Sequence, residues 1–186
     1  MIFAHFLLDV NESNAFIVGC EETGEALLVD AAVWEPRIEA FLNSHELRLR
    51  SVFITHDHFD HTSGLADVFR FCDAKAYAGH SLSGGCSVQT VGEGDILRCG
   101  NIEGRVTAIP GHTPDSICLI LPGMVFTGDA LFAGSVGGTS SPPMHRQELE
   151  GIRDRLFSLP DNYQVHPGHG PSSTIGIERR YNPFFV

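Results

Sequence analysis

Short apolar runs alternate with turn signals along the whole chain, and their periodicity separates strands from helices. Residues 2–9, 15–19 and 26–30 read as strands, with Asn-Glu-Ser-Asn and Glu-Glu-Thr-Gly-Glu as the turns between them. Residues 35–44 predict a helix, with Pro36 in its first turn and Ile38, Phe41 and Leu42 on one face. Residues 51–54 form a short apolar strand that runs straight into the polar cluster Thr-His-Asp-His-Phe-Asp-His. A second helix is expected over 62–71, with Leu65, Val68 and Phe69 inward. Strands follow at 74–78, 87–91, 96–99, 106–109, 117–121 and 125–127. Leu149, Ile152, Leu156 and Leu159 recur at helical spacing within 144–159, with Pro142 and Pro143 ahead and Pro160 closing the run. Residues 163–166 read as one more strand.

This order is not a regular alternation of strand and helix, which disfavours a doubly wound parallel sheet. It fits two mainly antiparallel sheets with helices packed outside them. A chain of 186 residues is expected to form one domain, 1–186, with room for a real core.

Charge narrows the partners. Twenty-three acidic groups against twelve basic ones leave a net charge of −11, and Lys75 is the sole lysine. Such a surface repels nucleic acid and anionic membrane. No apolar run approaches the roughly 18 residues a membrane span needs, and the first residues lack a basic leader, so a cytoplasmic location is expected. Cys20, Cys72, Cys86, Cys99 and Cys118 are odd in number and scattered, which fits reduced thiols, with Cys86 the one expected to be exposed.

Three of the ten histidines fall within six residues, as His56-Asp57-His58-Phe59-Asp60-His61. A lone histidine is usually solvated or hydrogen-bonded. Three imidazoles and two carboxylates just after a buried strand are costly to desolvate unless a cation pairs them. His56 and His58, two apart, point the same way in an extended segment. Asp60 and His61, at the turn into the next helix, can face a neighbouring point, so the segment points to two adjacent metal sites. Further ligand types stand after strands and beside glycines: His112, Asp129 and His169.

The series HxHxDH, GHT, GDALF and PGHGP resembles the metallo-β-lactamase superfamily, roughly from Asn14 to the C-terminus. Within it, the segments GDALFAGSVGGTS and PGHGPSSTIGIERRYNPF look most like the small glyoxalase II-type (hydroxyacylglutathione hydrolase-like) enzymes. The resemblance implies a four-layer αββα sandwich with two divalent metal ions at one edge. By motif position, His56, His58 and His112 would bind the first ion and Asp60, His61 and His169 the second, with Asp129 bridging. The nitrogen-rich set suits zinc, with iron or manganese also compatible. Water held between two cations becomes hydroxide near neutral pH, a metal polarises the substrate carbonyl, and a thiolate leaves. Asp60 and Asp129 then carry catalytic roles, and Asp57 lies outside the ligand set.

The expected function is therefore hydrolysis of a small-molecule thioester, with S-lactoylglutathione as the archetype. Several features depart from the pattern. The helical C-terminal domain of larger glyoxalase II enzymes is absent from the expected layout. Gly138-Thr139 stands where small relatives often have an arginine, and Asp115 where they commonly have glycine. The alternatives are a persulfide dioxygenase with one iron, a hydrolase of another ester or lactone, and a non-enzymatic binding protein. The Pro167-Gly168-His169-Gly170 form of the last motif favours the hydrolase. His166 is read as structural, and His5, His45, His80 and His145 as surface or helix residues. Arg179 and Arg180 either attract an anionic substrate or pair with nearby acids, and Tyr181 and Phe184 are expected to anchor the tail in the core.

Overall fold

A computed structural model describes residues 1–186. Its elements, in chain order, begin with strands β1 (Ile2–Leu7), β2 (Asn14–Cys20) and β3 (Glu25–Val29), helix α1 (Pro36–Ser44) and β4 (Arg48–Phe53). Helices α2 (Phe59–Thr62) and α3 (Leu65–Phe71) precede β5 (Lys75–Ala78), β6 (Leu82–Ser83), β7 (Cys86–Ser87) and β8 (Gln89–Thr90). Then come β9 (Ile96–Cys99), β10 (Ile102–Ala108), β11 (Ile117–Leu121), β12 (Met124–Gly128), β13 (Leu131–Phe132) and β14 (Ser135–Val136). Helix α4 (Pro142–Gly151), a π-helical turn (Ile152–Leu156), β15 (Gln164–Pro167), β16 (Ser173–Thr174) and α5 (Ile175–Tyr181) complete the chain.

Two six-stranded sheets, in the orders β1-β2-β3-β4-β5-β8 and β16-β15-β12-β11-β10-β9, face each other. Their strands are apolar on both faces because each sheet packs on a sheet one way and on helices the other. In β2, Phe16 and Val18 enter the core between the sheets, while Ala15 and Ile17 face the helices. In β11, Leu119 points inward and Cys118 and Ile120 outward. Three apolar clusters thus define the four αββα layers. One lies under α1 and α3, one between the sheets around Phe53 and Phe126, and one under α4 and the C-terminal elements. The second sheet is mainly antiparallel, with one parallel pair, β12 with β15 across α4. The first sheet departs from the expected antiparallel pattern: β1–β2 and β2–β3 are antiparallel, but β3–β4, β4–β5 and β5–β8 are parallel, because α1, then α2 and α3, then the β6–β7 hairpin carry the chain back to the same end of the sheet.

The helix expected over 62–71 is two helices. Gly64 at the break packs so tightly that a Cβ there would lie 2.6 Å from the Val33 Cα. The last long helix starts at Pro142, whose missing N–H costs nothing in a first turn, and rewinds as a π turn before Leu159. The strand expected over 87–91 is split between β7 and β8, and the two short hairpins, β16 and α5 carry too few periodic positions to read. Tyr181 and Phe184 do not anchor the tail, being 73% and 41% exposed. The α5 turn directs Tyr181 to solvent, and the anchors are buried Asn182, which donates to the Ser135 carbonyl at 3.0 Å, and Phe185, edge-on to Phe157. Cys20, Cys99 and Cys118 are buried, and Cys86 and Cys72 are half-buried. No helix is long and apolar enough to cross a membrane.

Gly64→Ala is expected to lower stability by about 1–3 kcal/mol through overpacking against Val33. Urea unfolding checks this, and an unchanged midpoint would show that the Val33 backbone gives way freely.

Candidate metal centre

Loops at one edge of the sandwich bring all seven expected side chains together. His56 and His58 leave the end of β4, and Asp60 and His61 sit within α2, one step further into the helix than expected. His112 follows β10, Asp129 follows β12, and His169 follows β15. Their ligand atoms form overlapping trios: His56, His58 and His112; His56, His61 and Asp129; and Asp60, His61 and His169. Within each trio these atoms lie within 4.8 Å of one another.

The individual separations are short. His58 Nδ1 is 3.0 Å from both His56 Nε2 and His112 Nε2. His61 Nε2 is 3.3 Å from His169 Nε2, which is 3.5 Å from Asp60 Oδ2. Asp129 spans the trios: its Oδ1 is 3.5 Å from His61 Nε2, and its Oδ2 is 3.6 Å from His112 Nε2 and 3.7 Å from His169 Nε2. Ligands about 2.1 Å from one divalent ion sit about 3.0–3.5 Å apart; the separations within the two outer trios given above match this, and those to Asp129 Oδ2 are slightly longer. Asp129 Oδ1 is buried with no hydrogen-bond partner, as a carboxylate oxygen reserved for a cation would be.

The other side of four of these rings accounts for the bare nitrogens. His56 Nδ1 donates to Thr55 Oγ1 at 3.1 Å, which donates to Asp30 Oδ2 at 2.9 Å. His61 Nδ1 donates to the same Asp30 oxygen at 2.8 Å. His112 Nδ1 donates to the Gly138 carbonyl at 2.7 Å, and His169 Nδ1 to the Glu12 carbonyl at 3.3 Å. With Nδ1 tied to oxygen, each of the four turns Nε2 toward the common centre. Asp30, itself 2% exposed, also accepts from the Thr55 amide at 2.9 Å.

Burial and charge then set the protonation. Burial, reinforced by His61, His112 and His58, holds His56 far below the usual histidine range. Burial also opposes charge on His61, but the Asp30 carboxylate outweighs it and raises His61 to about 9. Burial works against ionised Asp60, yet the Asn11 amide, 3.1 Å from Oδ2, and the nearby His61 and His169 hold it below the ordinary carboxylate value. Burial raises Asp129. Glu148, fully buried, accepts from the His112 amide at 3.0 Å, and burial pushes it up to about 7.

Sequence reasoning missed Asp30, Asn11, Asn14 and Glu148. Asp30 reads as the end of a strand, and Glu148 is hidden in a helical repeat. Asn14 holds the His169 loop through the Pro167 and Gly170 carbonyls at 3.0 and 2.8 Å. His166 lies in the core against Phe3, Phe16 and Phe126, where burial lowers it to about 4. Asp57 accepts from Ser83 Oγ and the Gly84 amide, both at 2.9 Å, and so braces the β6–β7 hairpin. Asp115 accepts from the Asp57 amide at 3.0 Å. Arg179 and Arg180 both pair with Asp161, which gives them a structural role.

Three overlapping trios of candidate ligands on an αββα sandwich fit the metal-dependent hydrolase class. The chain belongs to the metallo-beta-lactamase superfamily, whose family model matches residues 8–84 and 87–169. A probable hydroxyacylglutathione hydrolase of Schizosaccharomyces pombe is 33% identical over 85% of this chain, which spans 64% of that relative's length. The mitochondrial persulfide dioxygenase ETHE1 of Mus musculus is 31% identical over 90% of this chain and 69% of its own. The solved structure of TTHA1623 in a di-iron-bound form superposes with a TM-score of 0.82 at 30% identity, over 97% of this chain and 99% of that one.

Two outcomes follow. A cation entering beside His61 displaces its proton, so metal binding at pH 7 is expected to release about one proton from this residue, with the release fading as pH rises through about 9. Calorimetry in buffers of different ionisation heat reads it, and zero release at pH 7 would contradict the assignment. A Cβ on Gly168 would lie 2.2 Å from Asp129 Oδ1 and 2.7 Å from His61 Cε1. Gly168→Ala is therefore expected to weaken metal binding at least about tenfold, in the range of losses seen when ligand supports are disturbed.

Proposed function

We propose that this chain is a dinuclear metal-dependent hydrolase that cleaves an acyl thioester. His56, His58 and His112 hold one ion, Asp60, His61 and His169 the other, and Asp129 is shared. The observation that carries the reading is the second trio. Asp60, His61 and His169 converge beside the three-histidine cluster, and a one-iron enzyme would leave them idle. The hydroxyacylglutathione hydrolase relative and the di-iron form of TTHA1623 support the same view. Zinc is the first candidate from the nitrogen-rich donor set, with iron and manganese next.

Two divalent cations, when bound, make water acidic enough to attack at neutral pH and polarise the substrate carbonyl. The chain's own groups direct that chemistry. Asp60, fixed by Asn11, accepts a hydrogen bond from the attacking water and sets its direction. Asp30 orients His61 directly and His56 through Thr55. The Gly138 carbonyl does the same for His112. His56 and His61 are fully buried, whereas His58 is exposed and His112 and His169 are half-buried, so substrate approaches from that open side. No serine or cysteine nucleophile is needed. The continuous cores support residues 1–186 acting as one domain. The acidic surface supports a small-molecule substrate rather than nucleic acid, and the five free cysteines support a reducing, cytoplasmic setting.

The ETHE1 relative keeps one rival in view, a persulfide dioxygenase. Elemental analysis beside assays for thioester cleavage and for oxygen uptake with glutathione persulfide separates them. About two ions per chain with thioester cleavage is expected, and His169→Ala should retain about one ion and lose at least about a hundredfold in rate. One iron per chain with oxygen uptake would overturn the hydrolase.

A further inference from the structure

We infer that the groove beside His169 receives the thiol arm of the substrate and selects an uncharged or cationic arm over an anionic one. This rests on the thioesterase reading above. A groove of about 400 Å³ opens from His169 along the edge of the sandwich, lined by His5, Leu7, Asn11, Glu12, Asn14 and Gly170 among others. Its lining contains an acid and no lysine or arginine. Arg37 reaches the Leu7 carbonyl at 2.9 Å, but its guanidinium is paired with Glu35.

The Glu12 side chain is exposed, but the backbone that carries it is fixed. Asn11 and Glu12 are consecutive non-glycine residues in the left-handed region, with φ of 51° and 54°. That turn is pinned to the metal centre at three points. The Asn11 amide bonds Asp60, the Glu12 carbonyl accepts from His169 Nδ1, and Ser13 bridges His169. The backbone at Glu12 is therefore held beside the centre, and its carboxylate stays within a side chain's reach of the groove. On the other side of the centre stand two further acids, Asp57 and Asp115, both facing His80. On both of these sides a charged arm meets a carboxylate. The chain's net charge of −11 adds a field of the same sign at longer range. The acyl carbonyl is common to all thioesters, so the charge of the carrier thiol is what this surface discriminates.

The test uses metal-loaded protein and three acetyl thioesters that differ only in the thiol arm: glutathione (anionic), N-acetylcysteamine (neutral) and thiocholine (cationic). The neutral and cationic substrates are expected to exceed the glutathione thioester in kcat/KM by about tenfold or more at low salt, with the gap narrowing as salt screens it. Glu12→Lys should move the ranking toward glutathione by a similar factor, and Glu12→Gln part of the way. A readout without turnover uses the S-methyl thioethers of the same arms. The cationic probe should shift the backbone amide resonances of Glu12 and Gly170, and S-methylglutathione should not. A glutathione thioester cleaved as fast as or faster than the others overturns this inference alone, as does a ranking indifferent to salt and to Glu12→Lys. Failure to cleave any of the three overturns the thioesterase reading, and this inference with it.

Discussion

Three imidazole nitrogens meet around His58 Nδ1, 3.0 Å from each of the other two, and one His58 proton cannot fully satisfy both, so His56, His58 and His112 share this point because the frame holds them there, as a cation would require. The rest of the molecule is arranged around that constraint. Asp30 is the hub of the holding. One buried carboxylate, at the end of an apolar strand, takes His61 and Thr55 together and reaches His56 through the Thr55 hydroxyl. It turns both rings so that Nε2 faces inward, and it keeps a negative charge behind the cluster to offset positive charge placed in front.

The sandwich supplies the rigidity that such crowding needs. β4, β10, β12 and β15 end at one edge, and each leads into its candidate ligands from a final stretch that is largely buried. A strand packed this way cannot slip by one residue without turning its inner side chains outward. The ligands are thus located by the core, not by the loops alone. Glu148 does the same service from the outer layer, reaching through α4 to hold the His112 backbone.

Superfamily membership fixes the metal chemistry more firmly than it fixes the substrate. Relatives named as a hydroxyacylglutathione hydrolase and as a persulfide dioxygenase resemble this chain to similar degrees. What separates the two readings is local. The Asp60, His61 and His169 trio speaks for a second ion, while the ground around the mouth, acidic at Glu12, Asp57 and Asp115, bears on the carrier. The chemistry and the specificity therefore reside in different residues, and they can vary independently.

The convergence of seven candidate ligands was legible in the chain because metal-binding side chains clustered after short apolar strands are too costly to desolvate without a cation, and because four separate motifs agreed. The alternation of apolar runs likewise yielded the strands and the main helices, since period and burial are tied locally. The residues that orient the ligands were not legible. Asp30, Asn14 and Glu148 are single polar residues inside ordinary strand and helix patterns, and their partners lie 25 or more residues away. Asn11 and Glu12 read as a turn, and only the folded chain laid that turn across Asp60 and His169. The tail shows the same limit, since packing chose Phe185 and Asn182 over Tyr181 and Phe184. Sequence determined which groups could bind a metal, because that is a property of the side chains. Tertiary structure alone decided which groups aim them and what charge surrounds them, because those depend on contacts between segments distant in the chain.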